Sequence, residues 1–444
     1  MKSKMFNPYK ILVAILLFAF AGTLNAQDFL DKKEAIKIAL ENNFDIRSAD
    51  NIVLTAKNNA NIKNSKYLPS VSASGTANYT LTDTETTLHD GSINTADGVN
   101  TARYNATVGL NYTIFDGFGR ENIFRSLKES YNLSELQARA IIENTLVNIF
   151  VAYYEIARLS ENELTQKQTL DISRDRLLRV KYSSDYGQKT QLDVLNAEVD
   201  YNTDSINYLT IVQLLDNEKR NLNLIMGRDI ELMYSVDTSI TYAESLVFEE
   251  IKEKAEINNV TILLAESSLR NAGYNIKATS AASIPKLGVS ANYGATYNDL
   301  GVTSFADKQS FIGPSAGFTL SWNIFDGGAT NIRRQNSIII QDNQEIALEQ
   351  SKLTLQRNVS NAWNIYKTAL FILEAERTNL RTNRRNFDRS AEQHSLGQIT
   401  SIEFRQAQLN LLNARLNYNR AKYSAKIAEI ALFQLRGDLL DATF

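Results

Sequence analysis

Few side chains in this sequence have the types and spacing needed for catalysis or metal binding. The chain of 444 residues contains no Cys, and its two His residues, His89 and His394, lie far apart. The lack of Cys excludes disulfides, thiolate metal sites and thiol nucleophiles. Two distant His residues leave little room for a His-based metal cage or a catalytic triad. The Asp and Glu residues are spread over predicted helices as solvated faces. We therefore expect no catalytic, cofactor-binding or metal-binding site, and an enzyme is a weak interpretation.

Charge and proline content limit the class of protein further. The formal net charge is −3, whereas a general nucleic-acid binder should carry a basic surplus. The four prolines are Pro8, Pro69, Pro285 and Pro314, so long stretches contain none. Because proline interrupts helices, these stretches permit unusually long ones.

Residues 1–26 have the pattern of a secretory signal peptide. A positively charged start precedes an apolar run from Ile11 to Ala21, and a small-residue cleavage site lies before Gln27. The alternative is a membrane-anchoring helix, but the run falls well short of the ~20 residues needed to span a bilayer. No Cys follows for lipid attachment, and no later apolar run reaches about 18 residues. A membrane role would therefore have to use β-strands.

The sequence contains a long internal repeat, which predicts a tandem duplication. Several landmarks recur 210 positions on, and those upstream of the Phe-Asp-Gly element recur 216 positions on, so the first hairpin carries an insertion of six residues. The recurring pairs are Thr113–Gly117 with Asn323–Gly327, Gly187-Gln188 with Gly397-Gln398, and Leu68-Pro69 with Ile284-Pro285. The predicted repeats cover residues 27–236 and 237–444.

Each repeat shows the same order of elements. A helix, predicted at about Leu30–Lys66 and about Phe248–Ser280, leads to a Pro and then to alternating apolar and polar residues typical of strands. The predicted β-hairpins cover residues 70–116 and 286–326, with polar loops at about 82–102 and 299–310. The strands of the second hairpin are predicted to reach Trp322 and Ile324.

After each Phe-Asp-Gly the apolar spacing changes to seven residues, which is typical of coiled-coil helices. Long helices are predicted on both sides of Gly187 and of Gly397. Four apolar tracks carry this pattern: Ile142, Ile149, Ile156, Leu170 and Leu177, interrupted by Glu163; Val194, Tyr201, Tyr208, Leu215 and Leu222; Val359, Tyr366, Leu373, Leu380 and Phe387; and Phe404, Leu411, Tyr418, Ala425 and Leu432.

The four strands, each predicted at roughly 11 residues, suit a membrane β-barrel. About 9–11 residues span a bilayer as a tilted strand, and aromatic residues cluster near the predicted strand ends. A soluble β-sandwich would show the same alternation and stays an alternative. Four strands cannot close a membrane barrel, because known barrels start at about eight. The barrel would then be shared, with eight strands from two chains or twelve from three.

The duplication, the Pro-led hairpins ending in Phe-Asp-Gly and the two helix turns together resemble the TolC-like outer-membrane efflux family. The turns are Tyr182–Ala197 and His394–Ala407, and the resemblance covers about Leu30 to Leu439. It implies a mainly α-helical homotrimer with a twelve-stranded barrel in the outer membrane and a helical tunnel in the periplasm. It also implies an exit duct for a tripartite efflux pump, working with a periplasmic adaptor and an inner-membrane transporter. Type I protein secretion is the alternative.

The resemblance also assigns roles to the two helix turns. By that likeness the adaptor contacts the turn residues, which here are Tyr186, Gly187, Gln188, Thr190, Leu396, Gly397, Gln398 and Thr400. Relatives carry acidic residues around the tunnel entrance, and the candidate ring here is Asp193, Asn196, Glu403 and Gln406. Solvated helix carboxylates are an equally acceptable interpretation of the two acids. In relatives a Tyr and an Arg help to hold the tunnel entrance shut. Here His394 and Ile399 stand in their places, so this closing pair is absent.

Two further classes stay open on the sequence alone. A self-standing porin would not need long periplasmic helices, and a structural coiled-coil protein of the cell surface would not need alternating strands. Substrate identity cannot be inferred, because a duct of this kind passes whatever its transporter delivers.

Overall fold

The structure is a computed structural model that describes residues 28–243, 246–301 and 304–440. The signal peptide predicted at residues 1–26 lies outside these residues. The chain divides into two compact units, one within residues 1–49, 138–260 and 353–444, the other within residues 50–137 and 261–352. Among the described residues, none of the helices combines the length and apolarity needed to cross a membrane.

The described residues contain eight α-helices, six strands and two short 3-10 helices, at Ile62–Asn64 and Ala281–Ser283. The helices are α1 (Lys32–Asn42), α2 (Phe44–Asn59), α3 (Gly119–Asp185), α4 (Gln191–Met226), α5 (Phe248–Asn258), α6 (Val260–Ser280), α7 (Ala329–Ser395) and α8 (Ser401–Arg436). The strands are β1 (Asp28–Leu30), β2 (Ser70–Thr87), β3 (Ile93–Phe115), β4 (Tyr234–Val236), β5 (Lys286–Asp299) and β6 (Lys308–Ser321).

The long helices predicted from the seven-residue spacing are present. Helices α3 and α7 are continuous over 67 residues each, and α4 and α8 have 36 residues each. No residue of the four predicted apolar tracks is exposed. Glu163, which interrupts the first track, accepts a hydrogen bond from the hydroxyl of Tyr208 on α4 at 3.1 Å. The coiled-coil pattern therefore identified the packed faces correctly.

The helix predicted at the start of each repeat is in fact two helices, so that prediction was wrong. The chain breaks at Asn43 between α1 and α2, and at Asn259 between α5 and α6. The Asn43 side chain accepts from the backbone N–H groups of Asp45 and Ile46 and donates to the carbonyl of Ile225 at 2.7 Å. It thus caps α2 while binding the end of α4. Asn259 makes the equivalent bond to the carbonyl of Leu435 at 3.0 Å.

Two glycines end α4 and α8 at the same places. Gly227 and Gly437 have φ values of +67° and +80°, in the left-handed region that glycine tolerates best. A Cβ atom on either residue would lie 2.5 Å from a backbone oxygen, that of Asn42 or Asn258 respectively. Each long helix therefore ends directly against the helix break of its own repeat.

A short parallel sheet of β1 and β4 was not predicted. Its register pairs Asp28 with Tyr234 and Leu30 with Val236. The buried hydroxyl of Tyr153 on α3 donates to the carbonyl of Leu30 at 2.9 Å and accepts from the N–H of Asp237 at 3.0 Å. Strands of three residues are too short to show a periodicity, so they could not be predicted from the sequence.

The four remaining strands form one antiparallel sheet in the order β2-β3-β5-β6. Strands β2 and β6 are therefore its two edges, and edge strand β6 contains Pro314. In the centre Tyr104 pairs with Tyr297, and their ring centroids lie 6.2 Å apart. The sheet joins the two predicted hairpins through β3 and β5, one from each repeat.

The strand lengths and two boundaries differ from the prediction. The strands have 18, 23, 14 and 14 residues rather than roughly 11. Most of the predicted 82–102 loop is strand, because its Thr-rich sequence continues the ladder as far as the pair Thr87–Ile93. Strand β6 ends at Ser321, so Trp322 and Ile324 lie after it. Its partner β5 begins at Lys286, opposite Ser321, which leaves nothing on β5 for those residues to pair with.

Candidate functional site: the helix-turn tips

The two predicted helix turns have the same backbone structure. We call the α3–α4 turn, residues 182–197, the first tip, and the α7–α8 turn, residues 394–407, the second tip. Gly187 and Gly397 adopt φ values of +72° and +70°. The N–H of the next residue reaches back to the carbonyl of Ser183 at 2.8 Å in the first tip and of Gln393 at 2.9 Å in the second. These are Schellman-type C-caps, which need a residue that tolerates the left-handed conformation.

The helix that follows each turn begins with a capping box. In the first tip the Thr190 hydroxyl accepts from the N–H of Asp193 at 3.2 Å, and the Asp193 carboxylate accepts from the N–H of Thr190 at 3.0 Å. Thr400 and Glu403 form the same pair of bonds, at 3.2 and 2.8 Å. Both threonines therefore use their hydroxyls to start a helix.

The two acids of the candidate ring consequently have a structural task. Hydrogen bonds from the backbone N–H and the hydroxyl of Thr190 lower the pKa of Asp193 below its usual value, and Thr400 lowers the pKa of Glu403 in the same way. Both carboxylates stay charged at neutral pH and lie at the surface of their tips. This agrees with the structural interpretation of the acids and leaves their negative charge available to a ring.

The other two members of the candidate ring lie in one cleft. Asn196 and Gln406 line a cleft of about 530 Å³, together with Asp193, Arg176 and Arg405. The structure thus brings residues of both tips together within one chain. The cleft wall combines carboxylate, guanidinium and amide groups with apolar side chains.

The residues in place of the relatives' closing pair make local contacts. The ring of His394 stacks on Phe404 of α8, with centroids 4.7 Å apart, and its Nε2 lies 3.5 Å from the Ser401 hydroxyl. Burial lowers the pKa of His394, and the positive charges of Arg179, Lys189 and Arg176 add to this effect. Ile399 is half-buried in the same turn. His394 therefore stabilises the second tip from within.

A buried ionic cluster fastens α8 to α3 and α4, and the sequence did not predict it. The Arg405 guanidinium donates to both carboxylate oxygens of Asp204, at 2.7 and 2.9 Å, and to the hydroxyl of Ser173 at 3.3 Å. The side chain of Asp204 is 1% exposed and that of Arg405 is 10% exposed. Burial alone would lower the pKa of Arg405, but the hydrogen bonds and charge of Asp204 and the charge of Asp200 raise it.

Further contacts extend this cluster. Asp200 lies 3.4 Å from Arg405 Nε and also pairs with Arg176 of α3. Ser173 also donates to Asp204. A signal for the cluster existed in the sequence, because Asp204 lies three residues after Tyr201 and Ser173 three residues after Leu170. Both occupy the second core position of a heptad, where a polar side chain is unusual.

The described residues contain no group of three or more His, Cys, Asp and Glu side chains that could hold a metal ion. The cleft between the tips presents charged groups, hydrogen-bonding groups and apolar side chains. Such a surface suits the binding of another macromolecule or the passage of solutes.

Long paired helices, a sheet built from two hairpins and two matching helix turns form a fold that is shared with solved outer-membrane channels, and a family profile identifies the family. The profile of the family described as "outer membrane efflux protein" matches residues 35–228 and again residues 252–438. The chain therefore belongs to the outer membrane efflux protein family. This confirms the resemblance inferred from the repeat, the hairpins and the turns. The family consists of outer-membrane channels rather than enzymes.

Individual relatives are distant but cover most of the chain. Outer membrane efflux protein BepC of Brucella suis is 22% identical over 448 residues, which is 98% of this chain and 92% of BepC. Outer membrane protein TolC of Escherichia coli is 22% identical over 354 residues, or 78% of this chain and 71% of TolC. The crystal structure of the CmeC outer membrane channel of Campylobacter jejuni matches with a TM-score of 0.78 at 16% identity, over 92% of this chain and 86% of that one. The fold is therefore that of these channels.

Proposed function

We propose that this protein is the outer-membrane exit duct of a tripartite efflux pump. It passively conducts substrates that an inner-membrane transporter and a periplasmic adaptor deliver. The chain is exported by residues 1–26, and residues 27–236 and 237–444 are duplicated halves of one subunit. Membership of the outer membrane efflux protein family supports this function.

The observation that carries the proposal is the open sheet. Its two edges, β2 and β6, each present unpaired backbone groups in the single chain. Large apolar side chains are exposed on both edge strands, with Val71 69% exposed on β2 and Phe318 76% exposed on β6. Open sheet edges are not tolerated in a lipid core, because unpaired N–H and C=O groups find no water there.

Sharing the sheet between chains removes both edges. If β6 of one chain pairs with β2 of the next, the smallest even-numbered barrels have eight strands from two chains or twelve from three. We propose the homotrimer and the twelve-stranded barrel, as family membership suggests. Polar residues such as Asn105 and Thr296, whose side chains are hydrogen-bonded at 3.0 Å, would then face a water-filled lumen.

The tips supply the contacts with the rest of the pump. We propose that the adaptor binds the exposed turn residues of both tips, of which Tyr186 is 82% exposed and Leu396 66%. Asp193 and Glu403, with Asn196 and Gln406 beside them, would form the charged ring at the tunnel entrance. Three copies of each acid around a narrow pore would favour cations.

The pore is tested by conductance of the purified protein in a planar bilayer. Mature protein of trimer mass should give stepwise conductance, and a heat-dissociated sample of the same preparation is the control. If the protein forms no oligomer in detergent and opens no pore, the duct hypothesis is wrong.

Adaptor docking is tested by photo-crosslinking in cells. A photoreactive phenylalanine derivative at Tyr186 or Leu396 keeps an exposed large side chain and avoids the left-handed backbone of the neighbouring glycines. We expect cross-links to a periplasmic protein from both positions. Ser92, in the β2–β3 turn, is the matched control. Labelling from Ser92 alone would contradict docking at the tips.

A further inference from the structure

One face of the four-stranded sheet carries mostly polar side chains. Residues paired across neighbouring strands lie on the same face, so the register places Ser70, Asn111 and Ser290 in one row of this polar face. Asn105 and Thr296 belong to the same face, because an even number of residues separates each of them from that row on its strand. In the proposed barrel this is therefore the face that lines the water-filled lumen.

The charged side chains on the polar face are all positive. From the pair Asn78–Arg103 to the pair Lys286–Ser321, the described strands place Arg103 and Lys286 on this face but no Asp or Glu. Lys286 is exposed and lies at the end of the sheet where β2 and β5 begin, which we call the base. A lumen lined by this face therefore has a positive potential.

Two further lysines stand at the base of the sheet. Lys63 and Lys66, in the connection from α2 to β2, are both exposed and line a cleft of about 870 Å³ together with Ser70 of the polar face. Lys286 borders this cleft, because Gly288 lines it and lies two residues further along the same face of β5. The base thus combines a cleft with three ammonium groups.

The backbone that carries Lys66 is fixed by its neighbours. Lys66 has a φ value of +61°, in the left-handed region that residues other than glycine rarely adopt. Its carbonyl accepts a hydrogen bond from the Arg120 guanidinium at 3.3 Å, and this guanidinium lies 5.3 Å from the centre of the Tyr67 ring. The lysine is therefore held at the rim of the cleft by a rigid connection.

The three lysines have no acidic partner in the part of the chain that the structure describes. Asp116 and Asp326, which follow the two hairpins, are already paired with Arg120 at 3.2 Å and with Arg333 at 3.4 Å. The positive charge at the base is therefore not neutralised within these residues.

The duplication shows that the fold itself does not need this charge. At the offset of 216, Lys63 corresponds to Thr279 and Lys66 to Ala282. The second repeat makes the same connection into its first strand with these uncharged side chains. The lysines of the first repeat are thus available for another task.

We propose that Lys63, Lys66 and Lys286 form an anion-binding site at the base of the barrel lumen, which takes solutes that carry carboxylate, sulfonate or phosphate groups. This proposal rests on the proposed duct and adds a class of solute that its barrel attracts. Three chains would place three such clefts around one lumen, and rings of Lys or Arg side chains favour anions in pores. The hydroxyl of Ser70 and the amide of Asn111 would donate hydrogen bonds to the anion beside the ammonium groups.

The test is block of single-pore current by a polyanion in a planar bilayer. Pyrenetetrasulfonate is the probe, because a rigid polyanion can contact several lysines at once. It should block the wild-type pore reversibly at about 0.1 M salt but not at about 1 M salt, where the Debye length falls to about 3 Å. In Lys63→Gln/Lys66→Gln/Lys286→Gln the concentration needed for half block should rise about tenfold, because three exposed charge contacts are lost.

Two controls separate the cleft from general effects of charge and shape. Lys308→Gln removes a lysine of the same sheet that lies on the opposite face, where its register partner is Asp299, and the block should stay as in wild type. The variant with Arg at all three cleft positions keeps the charge, so it should also be blocked as strongly as wild type.

The outcomes distinguish failure of this site from failure of the duct. If the triple Gln variant conducts and is blocked as strongly as wild type, the anion site is wrong and the duct stands. If native mass spectrometry finds an anionic phospholipid that the triple variant loses, with no difference in block, the cleft holds a lipid headgroup and the luminal site is wrong. If wild type opens no pore, the duct fails and the site in its lumen falls with it.

Discussion

Neutralising Asp204 should loosen the second tip without unfolding the protein. In Asp204→Asn the Arg405 guanidinium stays buried but loses its main carboxylate, whose two oxygens lie 2.7 and 2.9 Å away. Removing one partner of a buried ion pair typically costs about 3–5 kcal/mol. Asp200, 3.4 Å from Arg405, compensates in part. We therefore expect the low end, about 3 kcal/mol, which is roughly a 100-fold change in the local opening equilibrium.

Hydrogen exchange measured by mass spectrometry on the detergent-solubilised protein gives this quantity locally. Amides in the first turns of α8, and in α3 around Ser173, should exchange roughly 100-fold faster in Asp204→Asn. Amides of the β2-β3-β5-β6 sheet should not change. The matched control is Glu374→Gln, which breaks the Arg377–Glu374 pair, whose side chains are 54% and 62% exposed. That surface pair contributes about 0.3–0.5 kcal/mol, or about a twofold change.

A rescue variant separates charge from packing. Arg405→Met combined with Asp204→Leu removes both charges and fills the site with apolar groups, so exchange should return most of the way to wild type. A change below about fivefold in Asp204→Asn, or an acceleration spread evenly over the whole chain, would refute the reasoning that this cluster fastens α8 locally.

Four further perturbations test the tips and the helix ends. Thr400→Ala removes the N-cap of α8 and should lower the local stability of α8, measured by hydrogen exchange, by about 1 kcal/mol. Glu403→Gln keeps the capping box and should lower only the cation preference of the pore. Equal cation preference in Glu403→Gln and wild type would contradict the proposed ring. The pKa of His394 is lowered in the closed tip. At pH values below the usual His pKa of 6.5, His394 therefore binds a proton more readily in the open tip than in the closed tip, which favours opening. Amides of the second tip should therefore exchange faster at pH 5.5 than at pH 7.5, after correction for intrinsic exchange rates. His394→Phe keeps a stacked ring but cannot bind the proton, so it should abolish this difference. An unchanged pH effect in that variant would show that another group is responsible. Gly437→Ala places a Cβ 2.5 Å from a backbone oxygen and should lower the thermal midpoint more than Gly397→Ala, whose Cβ meets nothing within 4 Å. Similar midpoints in the two variants would show that the backbone at the end of α8 relaxes freely.

Periodicity predicted the elements whose faces are covered by neighbours over many turns. The seven-residue tracks through Ile149 and Phe404 identified buried faces, because a coiled-coil contact repeats along the whole helix. The alternation after Pro69 and Pro285 located the strands for the same reason. It underestimated their length, since hydrogen-bonded pairing between Thr-rich segments continues beyond the apolar residues.

Features set by single long-range contacts could not be predicted. The break at Asn43 depends on a carbonyl 182 residues away in the sequence, and the Arg405–Asp204 pair joins residues 201 positions apart. The heptad pattern marks Asp204 as an unusual polar residue at a core position, but it does not indicate which distant residue is the partner. The repeat would nevertheless have located the breaks, because Asn43 and Asn259 share an offset and both lie in an otherwise helical pattern. For the tips, the sequence located Gly187 and Gly397 correctly but not the capping role of Asp193.

Native mass spectrometry of the detergent-solubilised mature protein tests the central claim most directly. The account predicts a complex of three chains, because three four-stranded sheets make the twelve-stranded barrel that removes the β2 and β6 edges. A stable monomer, or a dimer with eight strands, would contradict it.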